Sequence, residues 1–266
     1  MTPISIRASS LATLQDCPAR FEAQHILGKK MPSSSKALLG KAIHKSTAVY
    51  DQSTIDKTGI TVDEAAGAAV DTIRKPDEEV LFDSEDDAQD MQDIAVALHT
   101  KYCKEVAPKQ EYVAVEVQCE KIEISDLGII LTGSTDRVGR TDEGFGIRDL
   151  KSGGSAVRAD GYVETKGAAT QIAIYELLAE HGSGVPITAP AKIIGLQTGK
   201  TAKGQRVAVS QDIIGAREML LGDEDSPGLL AIASKIIHSG DFMGNPRSQL
   251  CGAKYCPVFN NCRWRK

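Results

Sequence analysis

The spacing of apolar residues changes near residue 110 from a helical to a strand pattern, and this change constrains the fold more than any other feature of the sequence. Before it, apolar residues recur at helical spacing, whereas Glu111–Ile124 alternates and is rich in β-branched residues. Two further strand candidates follow at Ile129–Arg140 and Phe145–Leu150, with turns supplied by Gly128 and by residues 141–144. Helices followed by a strand meander predict a domain that combines both kinds of element.

The first hundred residues predict several helices. Ser9 or Ser10 is expected to cap the first one, and Pro18 marks either a break in that helix or the start of another. The other helices in this part are expected at Lys36–Tyr50, Thr61–Lys75 and Gln89–Val106.

Helices and strands are also expected after the meander. In chain order, the pattern predicts a long helix, two strands and two helices at Tyr162–His181, Ala191–Thr198, Arg206–Val209, Asp212–Leu220 and Gly228–His238. The 266 residues, 41% of them hydrophobic, are enough to build one sizeable core. We therefore expect one α/β domain over residues 1–266. Its parts are a mainly helical portion at 1–107, a sheet with helices at 108–240 and a C-terminal segment at 241–266.

Charge is spread unevenly along the chain, although the net charge of −5 does not itself indicate a nucleic-acid partner. The charged side chains of residues 1–50 are mostly basic, whereas those of residues 76–93 are acidic. An N-terminal basic surface that includes Arg20, Lys41 and Lys45 could bind the phosphates of DNA. The alternative is that these side chains belong to ordinary solvated helix faces.

One group of residues has the composition of a hydrolytic metal site. Asp149 and Lys151 are two apart in a strand and should project from the same face, while Leu150 enters the core. Asp136 lies on the preceding strand and can converge with Asp149 if residues 141–144 form a hairpin turn. Carboxylates suit hard cations, which polarise phosphates and acidify water. A nearby ammonium stabilises developing charge.

Several short motifs occur in an order that resembles the RecB-like PD-(D/E)XK nucleases. They are Gly40–His44, Gly133–Arg137, Asp149–Gly153 and Gln171–Tyr175, with Ser9–Leu11 and Cys17–Phe21 resembling that family's N-terminal helix signature. The resemblance spans residues 9 to 262. It implies a restriction-endonuclease-like core, in which a central mixed β-sheet is flanked by helices, with a helical N-terminal portion.

The same resemblance implies roles for individual residues. His44, Asp136 and Asp149 would ligate Mg²⁺ or Mn²⁺, together with the backbone carbonyl of Leu150. Lys151 would position or activate the attacking water. Asp149 stands where the family often has glutamate, and the shorter aspartate side chain reaches less far towards the metal.

Gln171 and Tyr175 are implied to line the active site, where they would contact DNA or brace the catalytic strand. They lie four residues apart and share one helix face. The alternative for Gln171 and Tyr175 is a partly buried polar pair without a catalytic role. The alternative for His44 is an ordinary helix histidine.

Cysteines cluster at the C-terminus. Cys251, Cys256 and Cys262 form a C-x4-C-x5-C pattern, and Cys17 lies near the opposite end of the chain. Four such thiols could bind zinc or an iron–sulfur cluster, although zinc sites more often use two C-x2-4-C hooks.

The cysteine pattern resembles an iron–sulfur subset of the RecB-like nucleases, including CRISPR-associated, helicase-associated and phage exonuclease-like members. That likeness implies a [4Fe–4S] cluster on Cys17, Cys251, Cys256 and Cys262, with structural Zn²⁺ as the alternative. The first spacing, x4, departs from the more usual x2. Cys103 and Cys119 are expected to be small buried residues.

These observations predict a metal-dependent DNA exonuclease of recombination, repair or phage DNA processing, for which a helicase or recombinase partner would open the strands. The alternative is a DNA-end-processing or DNA-binding subunit of a CRISPR-adaptation or recombination complex. The chain has no apolar run of the ~18 residues that a membrane span needs and no apolar leader. We therefore expect a cytoplasmic protein with reduced cysteines and no membrane partner.

Overall fold

The computed structural model of the protein describes residues 3–83, 87–165 and 167–265. Glu85 and Asp86 of the predicted acidic stretch, and position 166 of the predicted helix Tyr162–His181, lie outside these ranges. The helices are α1 Leu11–Asp16, α2 Pro18–Phe21, α3 Ser35–Asp56, α4 Val62–Arg74, α5 Ala88–Glu105, α6 Ala169–Ser183, α7 Ala216–Leu221 and α8 Leu229–Ser239. The strands are β1 Ile4–Arg7, β2 Ser33–Ser34, β3 Val80–Leu81, β4 Glu111–Gln118, β5 Ile122–Ile124, β6 Ile129–Thr132, β7 Ser134–Thr141, β8 Gly144–Gly153, β9 Lys192–Gln197 and β10 Arg206–Val209.

A five-stranded mixed sheet in the order β10-β9-β8-β7-β4 forms the centre of the fold. Its β8–β9 pair is parallel and its other pairs are antiparallel. A three-stranded sheet, β1-β6-β5, joins the N-terminal strand to the meander, and β2 pairs with β3. The predicted α/β class with a central mixed sheet flanked by helices is confirmed.

Each face of the central sheet is covered by its own apolar core. On one face, α3, α4 and α5 pack against Leu150, Ile194 and Leu196. On the other, α6, α7 and α8 pack against Ile147 and Ile193 together with the small sheet. Because successive strand residues point to opposite faces, β8 and β9 contribute alternately to both cores.

Several predicted boundaries are confirmed by local chemistry. Ser10 stands at the N-cap position of α1, but its hydroxyl donates to the Arg7 carbonyl and makes no capping hydrogen bond. Pro18 occupies the first turn of α2, where its missing N–H removes no helical hydrogen bond. Thr61 and Glu64 form a reciprocal capping box at the start of α4.

Other boundaries differ from the prediction. The strand expected at Ile129–Arg140 breaks at Gly133, where the chain passes from the small sheet to the central one. A Cβ there would lie 3.2 Å from Tyr175 and Leu178 side-chain atoms. The helix expected from Tyr162 begins only at Ala169, since Gly161 and Gly167 have positive φ and Val157 bridges to Val163.

The C-terminal segment is tied to the N-terminal helices. The Asn245 side-chain amide donates to the Asp16 carbonyl at 2.9 Å, and the Ser248 hydroxyl donates to the Asp16 carboxylate at 2.7 Å. The Ala19 amide donates to the Met243 carbonyl. In the part of the chain that the structure describes, no helix is long and apolar enough to cross a membrane.

Candidate active site

The candidate active site lies where two paired strands separate. The β7–β8 ladder ends at the Arg137–Arg148 pair, although each strand continues along its other neighbour. Asp136 and Asp149 are the first residues beyond the last pair. The fork therefore brings two carboxylates together and opens a space between the strands.

The Asp-x-Lys tripeptide has the geometry that its spacing predicts. Lys151 Nζ lies 2.9 Å from Asp149 Oδ2, whereas Leu150 points into the opposite core and is 1% exposed. The Leu150 amide donates to Asp136 Oδ2 at 2.8 Å, which bridges the fork through the backbone. The fork therefore gathers both acids and the lysine.

His44 approaches the fork from α3. Its Nδ1 lies 3.6 Å from Asp136 Oδ2, and its side chain is 27% exposed. Gly40, one turn earlier on the same helix, lies where α3 passes the end of β8, and a Cβ there would be 2.9 Å from Ser152 Oγ. The small residue thus lets the helix come close enough for His44 to reach the acids.

Burial and mutual charge set the ionisation of this group. Burial alone would lower the pKa of His44, but the nearby Asp136 carboxylate outweighs it and raises the pKa. Burial opposes the charged form of Asp136 too, yet His44 and the Leu150 amide hold its pKa below the ordinary value. For Asp149, burial and the Asp136 charge prevail over Lys151 and raise the pKa to about 6.

A chain of polar groups continues from the lysine into α6. Lys151 Nζ donates to Gln171 Oε1 at 2.8 Å, and Gln171 Nε2 donates to the Tyr175 hydroxyl at 2.5 Å. Asp149 and Gln171 therefore hold the ammonium from two sides. Tyr175 is 7% exposed, and burial is the main reason that its pKa is raised.

The donors at the fork fit a hard divalent cation. Asp149 Oδ2 is the one buried side-chain oxygen or nitrogen, within the described residues, that has no hydrogen-bond partner. The Lys151 ammonium lies 2.9 Å from this oxygen and forms an ion pair with it. Burying an anionic oxygen is costly, and the Lys151 ammonium balances this cost only in part, because the pKa of Asp149 stays raised. Carboxylates and a backbone carbonyl are ligands that Mg²⁺ or Mn²⁺ accepts, whereas an imidazole suits Mn²⁺ better than Mg²⁺. Across residues 3–83, 87–165 and 167–265, no three His, Cys, Asp or Glu side chains are already arranged as a metal cage. The fit therefore rests on the buried Asp149 carboxylate, which Lys151 balances only in part, and on the chemistry of the donors.

An open cleft of about 580 Å³ leads to the fork. One wall carries Lys36, Lys41 and Lys45 of α3, and Lys151 lies on the opposite side. Lys41 is also paired with the Glu78 carboxylate. The cleft is thus lined by cations that a phosphate backbone could contact.

Arg20, which the sequence grouped with these lysines, lies elsewhere. It is 5% exposed, forms an ion pair with Asp16 at 3.0 Å and lines the cavity that contains the cysteines. The packing of α2 against the C-terminal segment buries it, so it is not part of the cleft. The expectation of a DNA-contacting Arg20 is therefore set aside.

Glu116 of β4 also lines the cleft, and sequence patterns did not single it out. It lies between the Val115–Arg137 and Val117–Thr135 pairs, which places it beside Asp136 on the neighbouring strand. It has a φ of 50°, which is unusual for a residue other than glycine. Finding it required the register of β4, which shifts at an irregularity after Tyr112.

The four cysteines of the predicted cluster line a single cavity. Cys17, Cys251, Cys256 and Cys262 all contribute to it, and none forms a disulfide. Burial raises the pKa of the Cys256 thiol, and Cys17 and Cys262 add to this shift. The backbone amide of Asn245 also donates to Cys17 Sγ at 3.4 Å. The thiols from the two ends of the chain therefore line the same cavity, although among the described residues they are not arranged as a metal cage.

Comparison with known proteins places this geometry in a family. A model of the PD-(D/E)XK nuclease superfamily matches residues 5–263. No curated protein matches the chain. Among solved structures, the crystal structure of SSO0001 is 12% identical, with a TM-score of 0.42 over 98% of this chain and 87% of that one. That likeness is too distant to bear on function.

Proposed function

Since the chain belongs to the PD-(D/E)XK nuclease superfamily, which implies a metal-dependent nuclease, we propose that it is a Mg²⁺- or Mn²⁺-dependent DNA exonuclease of the RecB-like type. The observation that carries this proposal is the fork of β7 and β8. It brings Asp136, Asp149 and Lys151 together and leaves Asp149 Oδ2 buried without a hydrogen bond. A surface with only a structural role has no reason to bury such an oxygen at the end of an open cleft.

Each residue has a task that follows from its position. His44, Asp136, Asp149 and the Leu150 carbonyl would hold the ion, which when bound supplies Lewis-acid polarisation of the phosphate and acidifies water. The Lys151 ammonium orients the attacking water and stabilises charge that develops on the phosphate.

Gln171 and Tyr175 position Lys151 in this proposal. Because Gln171 accepts from the ammonium and donates to the Tyr175 hydroxyl, α6 fixes where the lysine can place its charge. A lysine side chain has several rotatable bonds, so this restraint lowers the entropy cost of presenting the ammonium to a reacting phosphate.

The cleft lysines Lys41 and Lys45 bind DNA phosphates in this proposal. They lie four residues apart on α3 and border the same cleft as Lys151. A strand that follows this wall passes His44 before it reaches the fork. Such contacts hold the backbone without reading the bases, so we expect little sequence preference.

The cavity lined by Cys17, Cys251, Cys256 and Cys262 would hold a [4Fe–4S] cluster, with structural Zn²⁺ as the alternative. Thiolates suit both groups. Because Cys17 belongs to the start of the chain and the other three to its end, the group would act as a clamp between the termini.

We place this activity in recombination, repair or phage-type DNA processing in the cytoplasm, with a helicase or recombinase supplying opened strands. A role as a non-catalytic subunit of a CRISPR-adaptation or recombination complex is the less favoured possibility. The assembled acids and lysine are what hydrolysis requires, and DNA binding alone does not require them.

Cleavage of end-labelled DNA tests the function directly. Single-stranded and duplex DNA, labelled at each end in turn, is incubated with Mg²⁺, Mn²⁺ or EDTA. We expect metal-dependent release of short products from an end, and none from the Asp136→Asn variant, which keeps the fold and removes one ligand charge. Cleavage in EDTA, or an Asp136→Asn variant as active as the wild type, would contradict the proposal.

A further inference from the structure

Arg137 is a charged residue with no access to solvent, directly after Asp136 on β7. It is 0% exposed and is among the largest fully buried side chains of the protein. Its side chain points to the face of β7 opposite to that of Asp136, so it cannot reach a substrate at the fork. A buried guanidinium is costly unless all its neighbours are arranged to receive it.

Two of its hydrogen bonds reach α3. Arg137 Nε donates to Asp51 Oδ2 at 2.8 Å, and Nη2 donates to Thr47 Oγ1 at 3.2 Å. Thr47 and Asp51 follow His44 by three and seven residues, so all three share one side of the helix. The guanidinium therefore holds the part of α3 that presents His44.

Two further hydrogen bonds reach the cleft strands. Arg137 Nη1 donates to the Asp136 carbonyl at 2.7 Å and to Glu116 Oε1 at 3.2 Å. Arg137 thus contacts α3, β4 and β7, and the first two of these elements line the cleft. Nη1 makes both strand contacts, whereas Nε and Nη2 make the two helix contacts, so one rigid planar group fixes the relative position of these elements.

The network is anchored in the core away from the cleft. The Tyr102 hydroxyl of α5 donates to Asp51 Oδ2 at 2.6 Å and lies 3.0 Å from the Tyr112 hydroxyl of β4. Asp51 is 1% exposed, so its carboxylate has little freedom to follow Arg137 if the guanidinium moves.

We propose that Arg137 is a positioning residue, which sets the separation between His44 on α3 and Asp136 on β7 and thereby the affinity of the site for its divalent ion. This inference rests on the proposed function. The structure shows the link as an unbroken path: His44 lies on α3, Thr47 and Asp51 join α3 to Arg137, and Arg137 adjoins Asp136 on β7. Groups that orient metal ligands in this way typically change metal affinity ~10–100-fold when they are altered.

The test compares the Mn²⁺ concentration that gives half-maximal activity with the Mn²⁺ dissociation constant measured by calorimetry. Arg137→Lys keeps the charge and loses the fork of donors, so both values should rise ~10–100-fold, with activity largely restored at saturating Mn²⁺. Thr47→Val removes one acceptor from α3 and should shift both values several-fold. Thr47→Ser keeps the hydroxyl and should behave as the wild type.

Ser234→Ala is the matched control for a general loss of stability. The Ser234 hydroxyl donates to the Leu127 carbonyl at 2.6 Å in the other core, so its removal also deletes a buried hydrogen bond. This variant should melt at a lower temperature with an unchanged Mn²⁺ requirement. If Arg137→Lys does not fold, the Thr47 pair decides between the outcomes. Wild-type Mn²⁺ values in Thr47→Val and in any folded Arg137→Lys variant would overturn the inference and make Arg137 a structural residue only.

A crystallographic measurement separates this inference from the proposed function. The His44 Nδ1 to Asp136 Oδ2 distance is 3.6 Å, and it should lengthen in metal-free Thr47→Val crystals but not in those of Thr47→Ser. If the wild type binds no Mn²⁺, the proposed function fails, and this distance still tests the link. An unchanged distance in Thr47→Val would overturn the inference in either case.

Discussion

Asp149→Asn should make the metal-free protein more stable while it abolishes cleavage. Asp149 is 2% exposed, and burial raises its pKa from an ordinary 3.8 to about 6. At ~1.4 kcal/mol for each pH unit, the charged carboxylate therefore costs the folded state ~3 kcal/mol at neutral pH. Asparagine has nearly the same shape and no charge, so the free energy of unfolding should rise by about that amount.

The sign of the effect fixes its pH dependence. A carboxyl with a raised pKa in the folded state stabilises the protein only while it is protonated. That contribution is complete below pH 3.8 and is lost as the pH rises through about 6. The gap between variant and wild type should therefore grow from roughly 2 kcal/mol at pH 5 to ~3 kcal/mol at pH 7.5.

The assay is urea unfolding in EDTA at several pH values, with wild type and variant treated identically so that any effect of EDTA on the cysteine site cancels. Asp136→Asn is the control of opposite sign. The pKa of Asp136 is lowered in the fold, so its charge is stabilising and its loss should lower the free energy of unfolding. Adding Mg²⁺ at ~100 times its dissociation constant should stabilise the wild type by ~2.7 kcal/mol and the Asp149→Asn variant hardly at all.

Two results would refute this reasoning. One is an Asp149→Asn protein that is less stable than the wild type in EDTA at pH 7.5. The other is a stability gap that does not change with pH. Either would mean that the Lys151 ammonium already compensates the buried carboxylate, and that the carboxylate is not held in readiness for a metal ion.

Further predictions concern catalysis, the cysteine site and the cleft. Lys151→Ala should lower the rate of cleavage, because several kcal/mol of transition-state stabilisation are lost. Calorimetry should still detect metal binding, since an ammonium does not ligate a cation. A wild-type rate of cleavage in this variant would exclude a catalytic role for Lys151. Cys17→Ala should abolish iron or zinc binding and expose the C-terminus to protease. Because a very long closed loop is lost, the free energy of unfolding should fall by ~5 kcal/mol. An unchanged metal content and melting temperature would contradict a metal group shared by the two termini. Neutralising Lys41 and Lys45 to Gln should reduce the salt slope of DNA affinity by ~1 each, whereas Lys235→Gln on α8 should not alter it; equal slopes in all variants would argue against the α3 wall.

Local periodicity predicted much of this protein, because it depends on neighbours along the chain. Helical spacing located most helices, and strand alternation placed Asp149 and Lys151 on one face with Leu150 on the other. The four-residue step from Gln171 to Tyr175 likewise put both on one face of α6, where they share a hydrogen bond. In each case the geometry of a single helix or strand decides which face a side chain occupies, so the residues of that element alone are enough to predict it.

Tertiary contacts decided what lies between elements. The burial of Arg20 depends on the packing of α2 against the C-terminal segment, and the late start of α6 depends on glycines and a bridge that compete with a helical pattern. Glu116 beside Asp136 depends on an irregular strand register. Arg137 binds partners 86 and 90 residues away in the chain. Such pairings carry no period in the sequence, because their free energy comes from burial and charge balance that exist only once the layers have packed.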